Sequence, residues 1–242
     1  MPRAIVFIST VQNPEEPLSC CNQSIQFCEE NEIMNDFDLI ALEKAIQLKE
    51  AGYLDEVILF SLSPSQKTLL KPLAMGADRA FWGNAENAAL TSEIVVQTAL
   101  NAIPDDGQTL WMIGKMGVNF ESHRTAQILS AKLGIPCLMS AFQIDFHDNQ
   151  FRVACEDDKG IDCYHLPLSF VMTSELRLAE PRFPGLPAIV RAKRKPIVEI
   201  TVSTGSIQTT EMAMAKQDYR KCQFITEDEL YTEIEQMTGE CA

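Results

Sequence analysis

Short runs of consecutive apolar residues alternate with longer segments of helical periodicity over the first 145 residues. Strands buried on both faces of a parallel sheet need such apolar runs, which occur at 3–7, 56–61, 79–82 and 109–113. Apolar residues at helical spacing predict helices that run from 35–38 to Gly52, from 63–64 to Gly76, over 91–103 and over 122–133. The alternation predicts an α/β fold with a doubly wound, mostly parallel sheet.

The second part of the chain has a different pattern. Strands predicted at 141–146, 151–154 and 163–166 are separated by polar turns, which is typical of an antiparallel hairpin addition, and 168–173 is another buried strand. A capping box at 226–229 predicts a last amphipathic helix. We expect an α/β domain over 1–202, and a C-terminal arm and helix over 203–242 that pack on a partner subunit.

Composition and charge exclude several classes of function. The chain has 242 residues and a net charge of -14, which argues against nucleic-acid binding because that needs a cationic surface. No apolar run reaches the roughly 18 residues of a transmembrane helix. The first residues resemble a strand more than a signal peptide. We therefore expect a cytoplasmic protein in a bacterium, or a mitochondrial matrix protein in a eukaryote.

Eight cysteines raise the question of a metal or disulfide framework. None forms a C-x-x-C pair, and the three histidines have no ligand spacing with them. We expect reduced thiols that mainly pack, and no metal site.

One segment combines features of a ligand site. Residues 114–125 (GKMGVNFESHRT) leave a buried strand, cross a loop with two glycines and enter a helix, which is where open parallel sheets place ligands. Backbone N–H groups at the helix start, with Arg124 and the hydroxyls of Ser122 and Thr125, would bind a phosphate. The alternative is an ordinary loop with Ser122 as the helix cap. The chain has no nucleophile elbow, phosphate loop or dinucleotide fingerprint, so it is not expected to be a self-contained enzyme.

Three motifs, in order and at compatible spacing, resemble the beta subunit of electron transfer flavoproteins. Residues 34–45 (MNDFDLIALEKA) are similar to that family's M-N-P-F-(C/D)-x-x-A-(V/L)-E-x-A, and 73–79 (LAMGADR) to its A-L-A-M-G-A-D-R. Residues 175–187 (ELRLAEPRFPGLP) are similar to D-L-R-L-N-E-P-R-Y-x-x-L-P, and 188–195 continue the match.

The resemblance implies a heterodimer in which an alpha subunit holds the redox-active FAD and this chain holds a structural AMP. Phe37 corresponds to a phenylalanine that approaches the flavin. The implied cofactor-binding residues are Phe7, Asn35, Asp36, Phe37, Asp38, Leu62, Gly114, Lys115, Met116, Gly117, Val118, Asn119, Phe120, Glu121, Ser122, His123, Arg124 and Thr125.

The resemblance also implies a recognition loop at 178–195, whose Leu186 anchors the protein on a flavoprotein dehydrogenase such as an acyl-CoA dehydrogenase. Electrons would then pass to a quinone oxidoreductase or another acceptor. Prolines beside an exposed leucine lower the entropy lost on docking, whereas the alternative is a rigid turn with a core leucine. The implied docking residues are Leu186, Pro184, Pro187, Arg191, Arg194 and Glu156.

The chain departs from the family pattern in the nucleotide loop. The usual D-D-x-x-N-Q-T is replaced by 119–125 (NFESHRT), in which Arg124 would offer phosphate a charged contact and His123 a second cation at lower pH. AMP is the expected ligand, with another adenine nucleotide as the alternative. The glycine-and-aspartate motif of bifurcating members is not found. The alternatives in other classes are a stand-alone adenine-nucleotide sensor or hydrolase, and an interaction subunit that has lost its nucleotide.

Overall fold

The structure, a computed structural model, describes residues 2–13, 15, 32–85, 90–117, 122–148 and 150–203, and the backbone of 19–21 and 24–26. The predicted C-terminal arm and helix lie outside the described residues, except for Ser203 at the start of the arm. The strands are β1 (Arg3–Phe7), β2 (Thr10–Gln12), β3 (Ser19–Cys21), β4 (Ser24–Gln26), β5 (Glu32–Met34), β6 (Glu56–Ser63), β7 (Arg79–Asn84), β8 (Thr109–Gly114), β9 (Cys137–His147), β10 (Gln150–Asp157), β11 (Gly160–Leu166), β12 (Phe170–Ser174) and β13 (Ile197–Glu199). The helices are α1 (Asp36–Glu50), α2 (Leu70–Met75), α3 (Ser92–Ala102), α4 (Arg124–Leu133) and α5 (Leu186–Ala192).

Nine strands form one sheet in the order β11-β10-β9-β12-β8-β1-β6-β7-β13. The seven strands from β9 to β13 in that order pair in parallel, while β10 and β11 add an antiparallel hairpin at one edge. From β1 the chain continues to β6 and β7 on one side, and from β8 it continues to β9 and β12 on the other. The order therefore reverses between β1 and β8, and open α/β sheets bind ligands at such a switch point.

Alternate residues of the central strands enter two separate cores. In β1, Ala4 and Val6 pack against α1 and α2, whereas Ile5 and Phe7 pack against α3 and α4. The same alternation continues in β6 and β8, whose apolar side chains are all buried. Burial on both faces explains the uninterrupted apolar runs and confirms the predicted doubly wound α/β fold.

Two of the predicted helix ends are confirmed by backbone geometry. Gly52 has φ +80° after α1, and Gly134 has φ +68° after α4, in the left-handed region that glycine adopts without strain. The predicted helix from 63–64 to Gly76 differs, because β6 continues to Ser63 and a 3₁₀ turn at Gln66–Leu69 precedes the short α2. The cap position that the alternative of an ordinary loop assigned to Ser122 is occupied by His123.

Three other segments differ from the prediction. Between β1 and α1, where no strand was predicted, the chain forms two small antiparallel pairs, β2 with β5 and β3 with β4. The strand β9 is longer than predicted and belongs both to the parallel sheet and to the hairpin. The segment expected as a recognition loop is partly helical, with Leu186 as the first residue of α5.

Candidate functional site

A cavity of about 290 Å³ opens at the carboxyl ends of β1, β6, β8 and β12. Its volume lies at the lower end of the range of about 300–1,000 Å³ that is usual for ligand pockets. The described residues that line it come from the strand ends, the loops after β1 and β8, and the first turns of α1, α3 and α4. They are Phe7, Ile8, Ser9, Thr10, Val11, Asn35, Asp38, Phe60, Leu62, Leu90, Thr91, Ser92, Val95, Ile113, Gly114, Lys115, Met116, Gly117, Ser122, His123, Thr125, Ala126 and Thr173.

Asp38 joins the two strands at the switch point. One carboxylate oxygen accepts hydrogen bonds from the N–H of Ser9 (2.9 Å) and its hydroxyl (2.6 Å), just beyond β1. The other oxygen accepts from the N–H of Gly114 (3.0 Å), at the end of β8. Burial raises the pKa of Asp38 to about 6, because the loss of hydration outweighs these hydrogen bonds. The aspartate thus fixes the wall of the cavity where the sheet order reverses.

Gly114 is required by the close approach of α1. A Cβ atom at this position would lie 2.2 Å from the carboxylate of Asp38 and 2.8 Å from the Cβ of Phe37. The hydroxyl of Ser174 donates to the carbonyl of Phe37 at 2.6 Å, which holds the start of α1 against β12 as well. The glycine therefore lets the helix meet the strand end directly.

Asn35 presents an unsatisfied acceptor at the cavity. Its side-chain N–H donates to the carbonyl of Met116 at 2.9 Å, and its backbone N–H donates to the carbonyl of Ser9 at 3.1 Å. The side-chain oxygen has no hydrogen-bond partner among the described residues, although Asn35 is only 1% exposed. A buried acceptor without a partner costs free energy, so this atom fits a ligand that offers an N–H or O–H donor.

The first turns of α3 and α4 meet at the opposite side of the cavity. The hydroxyl of Thr125 donates to that of Ser92 at 3.1 Å, and Thr91 caps α3 by accepting from the N–H of Ile94 at 3.3 Å. Helix N-termini carry partial positive charge and attract anions. With the hydroxyl groups beside them, these two N-termini form an environment that is suited to a phosphate.

Most of the described residues that the sequence proposed for the cofactor come together here, but three do not line the cavity. Asp36 is exposed, and Phe37 is buried behind Gly114. Arg124 binds Glu93 at 2.7 Å on the outer surface, so this structure shows no charged contact from Arg124 into the cavity. Residues 118–121, which include Val118, Asn119, Phe120 and Glu121, lie outside the described residues.

Sequence reasoning missed lining residues that lie in other loops. Ser9 and Thr10 follow β1, whereas Thr91 and Ser92 begin α3 and Thr173 lies in β12. A cap residue before an apolar periodic segment is a detectable signal for Thr91. Its place in the cavity follows only from the parallel topology, which brings these strand ends and helix starts to one edge.

Lys115 is the described lysine of the cavity wall, and it is already paired. Its ammonium group donates to Glu175 at 2.5 Å. Burial would raise the pKa of Glu175, but hydrogen bonds from Lys115 and from the N–H of Leu176 outweigh burial and leave the pKa lowered. This ion pair joins the cavity loop to the segment that follows β12.

The residues proposed for docking occupy two separate places. Leu186 is 74% exposed at the start of α5, and Pro187 follows it in the first turn. The partly exposed Pro184 precedes α5, and the exposed Arg191 and Arg194 lie in its last turn and just beyond it. Glu156 lies on β10 instead, where it pairs with Arg177. The alternative of a core leucine is not observed, since Leu186 faces solvent.

Two of the three described thiols, those of Cys137 and Cys155, are at least partly buried, which is consistent with a packing role, whereas Cys163 is exposed. Cys137, Cys155 and Cys163 are free, and burial raises the pKa of the first two to about 11, so both are protonated at neutral pH. Among the described ranges, no group of three or more metal-ligating side chains could hold an ion. None of the described helices is both long enough and apolar enough to cross a membrane.

Comparison with known proteins places this fold and cavity in a family. The sequence profile described as "Electron transfer flavoprotein domain" matches residues 25–204. The electron transfer flavoprotein subunit beta of Bradyrhizobium diazoefficiens is 37% identical over 180 residues, which are 73% of this chain and 72% of that protein. The mitochondrial subunit beta of Arabidopsis thaliana is also 37% identical, over 70% of this chain and 68% of its own length. The subunit beta of Homo sapiens is 34% identical, over 68% and 66% respectively.

The chain therefore belongs to the electron transfer flavoprotein family, whose members function in electron transport. Within it, the similarity is to the beta subunits from bacteria and mitochondria, which confirms the resemblance found from the three sequence motifs.

Proposed function

We propose that this chain is the nucleotide-holding and docking subunit of a heterodimeric electron carrier. Its partner, the alpha subunit, would hold FAD, which accepts and releases the electrons. This chain would bind AMP in the switch-point cavity and dock a flavoprotein dehydrogenase such as an acyl-CoA dehydrogenase. The electrons would then pass to a quinone oxidoreductase or another acceptor.

The main observation in support is the polarity of the cavity. Asn35 supplies an unsatisfied buried acceptor on one side, and the N-termini of α3 and α4 supply partial positive charge and hydroxyl groups on the other. A nucleotide has N–H and O–H donors at its base and sugar and an anion at its phosphate. The cavity therefore suits a mononucleotide whose phosphate lies toward Ser92 and Thr125.

A stand-alone hydrolase is less consistent with the same cavity. Asp38 is the carboxylate among the described lining residues, and both of its oxygens accept hydrogen bonds from Ser9 and Gly114. A general base needs a free oxygen to take a proton from water. Asp38 is thus placed to hold the wall of the cavity rather than to activate water.

The nucleotide is tested by co-expressing the chain with an alpha subunit and denaturing the purified complex. We expect mass spectrometry to find one FAD and one AMP per heterodimer. A colourless monomer that hydrolyses ATP would contradict the proposal, as would a flavin-containing complex that releases no adenine nucleotide other than FAD.

Docking is tested with the same heterodimer. Replacing Leu186 by alanine removes an exposed apolar side chain, so FAD content is expected to stay unchanged while electron transfer from an acyl-CoA dehydrogenase falls about tenfold or more. An unchanged rate would show that Leu186 is not an anchor.

A further inference from the structure

The segment between the 3₁₀ turn at Leu176–Leu178 and β13 presents three apolar side chains to solvent. Phe183 is 91% exposed, Leu186 74% and Val190 52%. Leu186 and Val190 are four residues apart in α5, so they share one face of the helix. Single exposed apolar residues are normal, but three within eight residues form a patch of the kind that marks an interaction surface. We call Phe183, Leu186 and Val190 the apolar tip.

Arg182 fixes the chain immediately before this tip. Its guanidinium group donates to Glu43 at 2.8 and 2.9 Å and to Glu50 at 2.6 and 2.9 Å, and its backbone N–H also donates to Glu43 at 3.2 Å. Both acceptors belong to α1, where they are seven residues, or about two helical turns, apart. Five hydrogen bonds from one residue define its orientation far better than a single ion pair would.

The contact with Glu43 is mostly hidden from solvent. The side chain of Glu43 is only 4% exposed, and Gln47 donates a further hydrogen bond to it at 3.0 Å. A buried carboxylate without a cation is strongly unfavourable, so Glu43 requires Arg182 at this place. Hydrogen bonds to Glu50 and Glu43 raise the pKa of Arg182, and the hydrogen bond from Arg182 lowers that of Glu50.

Lys195 fixes the other end of the segment. Its ammonium group donates to the carbonyls of Leu73 (3.0 Å) and Ala77 (2.6 Å), around the C-terminus of α2. Burial lowers the pKa of Lys195, and the neighbouring Ala192 is only 2% exposed. The tip therefore lies between two attachment points that involve partly or fully buried groups.

The charge around the tip indicates what it would contact. Residues 181–198 contain five cations, Arg182, Arg191, Lys193, Arg194 and Lys195, and no acidic residue, in a chain whose net charge is -14. Three of the cations, Arg191, Lys193 and Arg194, are exposed. Such a local reversal of charge fits a partner surface with acidic residues around an apolar pocket.

We propose that Arg182 is a positioning residue, which holds Phe183 beside Leu186 as a paired anchor for a flavoprotein dehydrogenase with an acid-rimmed apolar pocket. The inference rests on the docking function proposed above and adds two residues to it. A tip that is already ordered loses less conformational freedom when it docks. Arg182 thus acts through the orientation of its neighbours and does not itself need to contact the partner.

The experiment uses the full heterodimer and a purified acyl-CoA dehydrogenase as the probe. The variants are Arg182→Gln, Arg182→Lys, Phe183→Ala and Leu186→Ala, with Glu50→Gln as a milder change at the exposed side of the contact. Arg79→Gln is the matched control, because Arg79 forms a two-point ion pair with Glu56 (2.6 and 3.1 Å) away from the tip. Order at the tip is measured without a partner from the anisotropy of the tryptophan introduced by Phe183→Trp, since Trp82 and Trp111 are buried.

We expect Phe183→Ala and Arg182→Gln each to raise the KM for the dehydrogenase about tenfold, with unchanged FAD content and maximal rate. Arg182→Gln is also expected to lower the anisotropy, Arg182→Lys and Glu50→Gln to have intermediate effects, and Arg79→Gln to have neither effect.

If Arg182→Gln changes only the melting temperature, the positioning role is overturned. If Leu186→Ala lowers transfer but Phe183→Ala does not, the paired anchor is overturned while docking stands. If neither substitution matters, or the wild type is not reduced by the dehydrogenase, docking to this class of partner is overturned.

Discussion

The switch-point cavity and the apolar tip belong to one chain but are built by different means. The cavity is formed by strand ends, backbone N–H and C=O groups and short side chains, such as those of Ser9 and Asp38, which meet in the packed centre of the sheet. The tip is an exposed segment next to Arg182. The side chain of Arg182 fixes its position by binding Glu43, which lies 139 positions earlier in the chain.

The comparison shows that the two regions should respond to substitution in different ways. At the packed strand end of the cavity, a small group added at Gly114 meets the buried carboxylate of Asp38 and the start of α1, because close-packed interiors have no space into which it can move. At the tip, side chains face solvent, so their replacement is expected to alter docking without altering the fold. Cavity variants should therefore lose stability and nucleotide together, whereas tip variants should lose only electron transfer.

The largest effect is expected for Gly114→Ala. The added Cβ would lie 2.2 Å from the Asp38 carboxylate, so α1 or β8 must move. We expect a loss of about 3 kcal/mol in the free energy of unfolding, at the upper end of what overpacking usually costs. The loss of AMP should accompany it, as measured by thermal unfolding of the heterodimer and by nucleotide release.

Gly117→Ala is the matched control for stability. Apart from its chain neighbours, no atom of the described residues would lie within 4 Å of a Cβ at Gly117, so the melting temperature is expected to stay close to that of the wild type. Equal melting temperatures for the two variants would remove the distinction between the packed strand end of the cavity at Gly114 and its open loop at Gly117.

The sequence was sufficient for the parts of the cavity that are continuous along the chain. The apolar runs of β6 and β8 predicted a parallel sheet, and the two glycines after β8 predicted a ligand loop. It did not predict Ser9 or Ser92, because Ser9 lies in a polar loop and Ser92 in the first turn of α3, and neither position has a pattern that indicates a ligand. Only the parallel packing of β1 and β8, and of α3 beside α4, brings these loops to one place.

Even less of the apolar tip than of the cavity could be predicted from the sequence. The family resemblance implied that Leu186 is exposed, whereas the proline pattern alone also fitted a core leucine, and nothing local to 178–195 shows that Arg182 reaches Glu43 and Glu50. Glu43 lies outside the apolar stripe of α1 in the sequence, although its side chain is buried in the structure. Long-range ion pairs are not visible in periodicity, since their partners are joined only by the fold.

A smaller effect is expected from a change of pH, which should alter the stability that Asp38 provides at the cavity but not the order of the apolar tip. The folded-state pKa of Asp38 is raised to about 6 from 3.8, so the folded protein binds more protons than the unfolded chain between these values. The contribution of Asp38 to the free energy of unfolding therefore increases as the pH falls through 6 and decreases as the pH rises through 6. Between pH 7 and pH 5 the gain is about 1 kcal/mol for a shift of this size.

Asp38→Asn isolates this contribution, because the other titrating groups are common to both proteins. The wild type should gain more stability than the variant when the pH is lowered from 7 to 5, as followed by denaturant unfolding of the heterodimer. The lowered pKa of Glu50 keeps the contact with Arg182 charged over this interval, so tip anisotropy should stay constant. An equal pH dependence in both proteins would show that Asp38 stays ionised in the folded state.

The smallest effect is expected for Arg124→Gln, at the outer border of the cavity. Arg124 pairs with Glu93 on the exposed surface at 2.7 Å, and such pairs contribute little because water screens them. We expect unchanged AMP content and melting temperature, whereas Thr125→Val, one residue further on, removes the hydroxyl group that contacts Ser92 and should lower AMP content. If Arg124→Gln released the nucleotide instead, Arg124 would have to turn inward when the cavity is filled, and the boundary between the cavity wall and the outer surface would lie one residue earlier in α4.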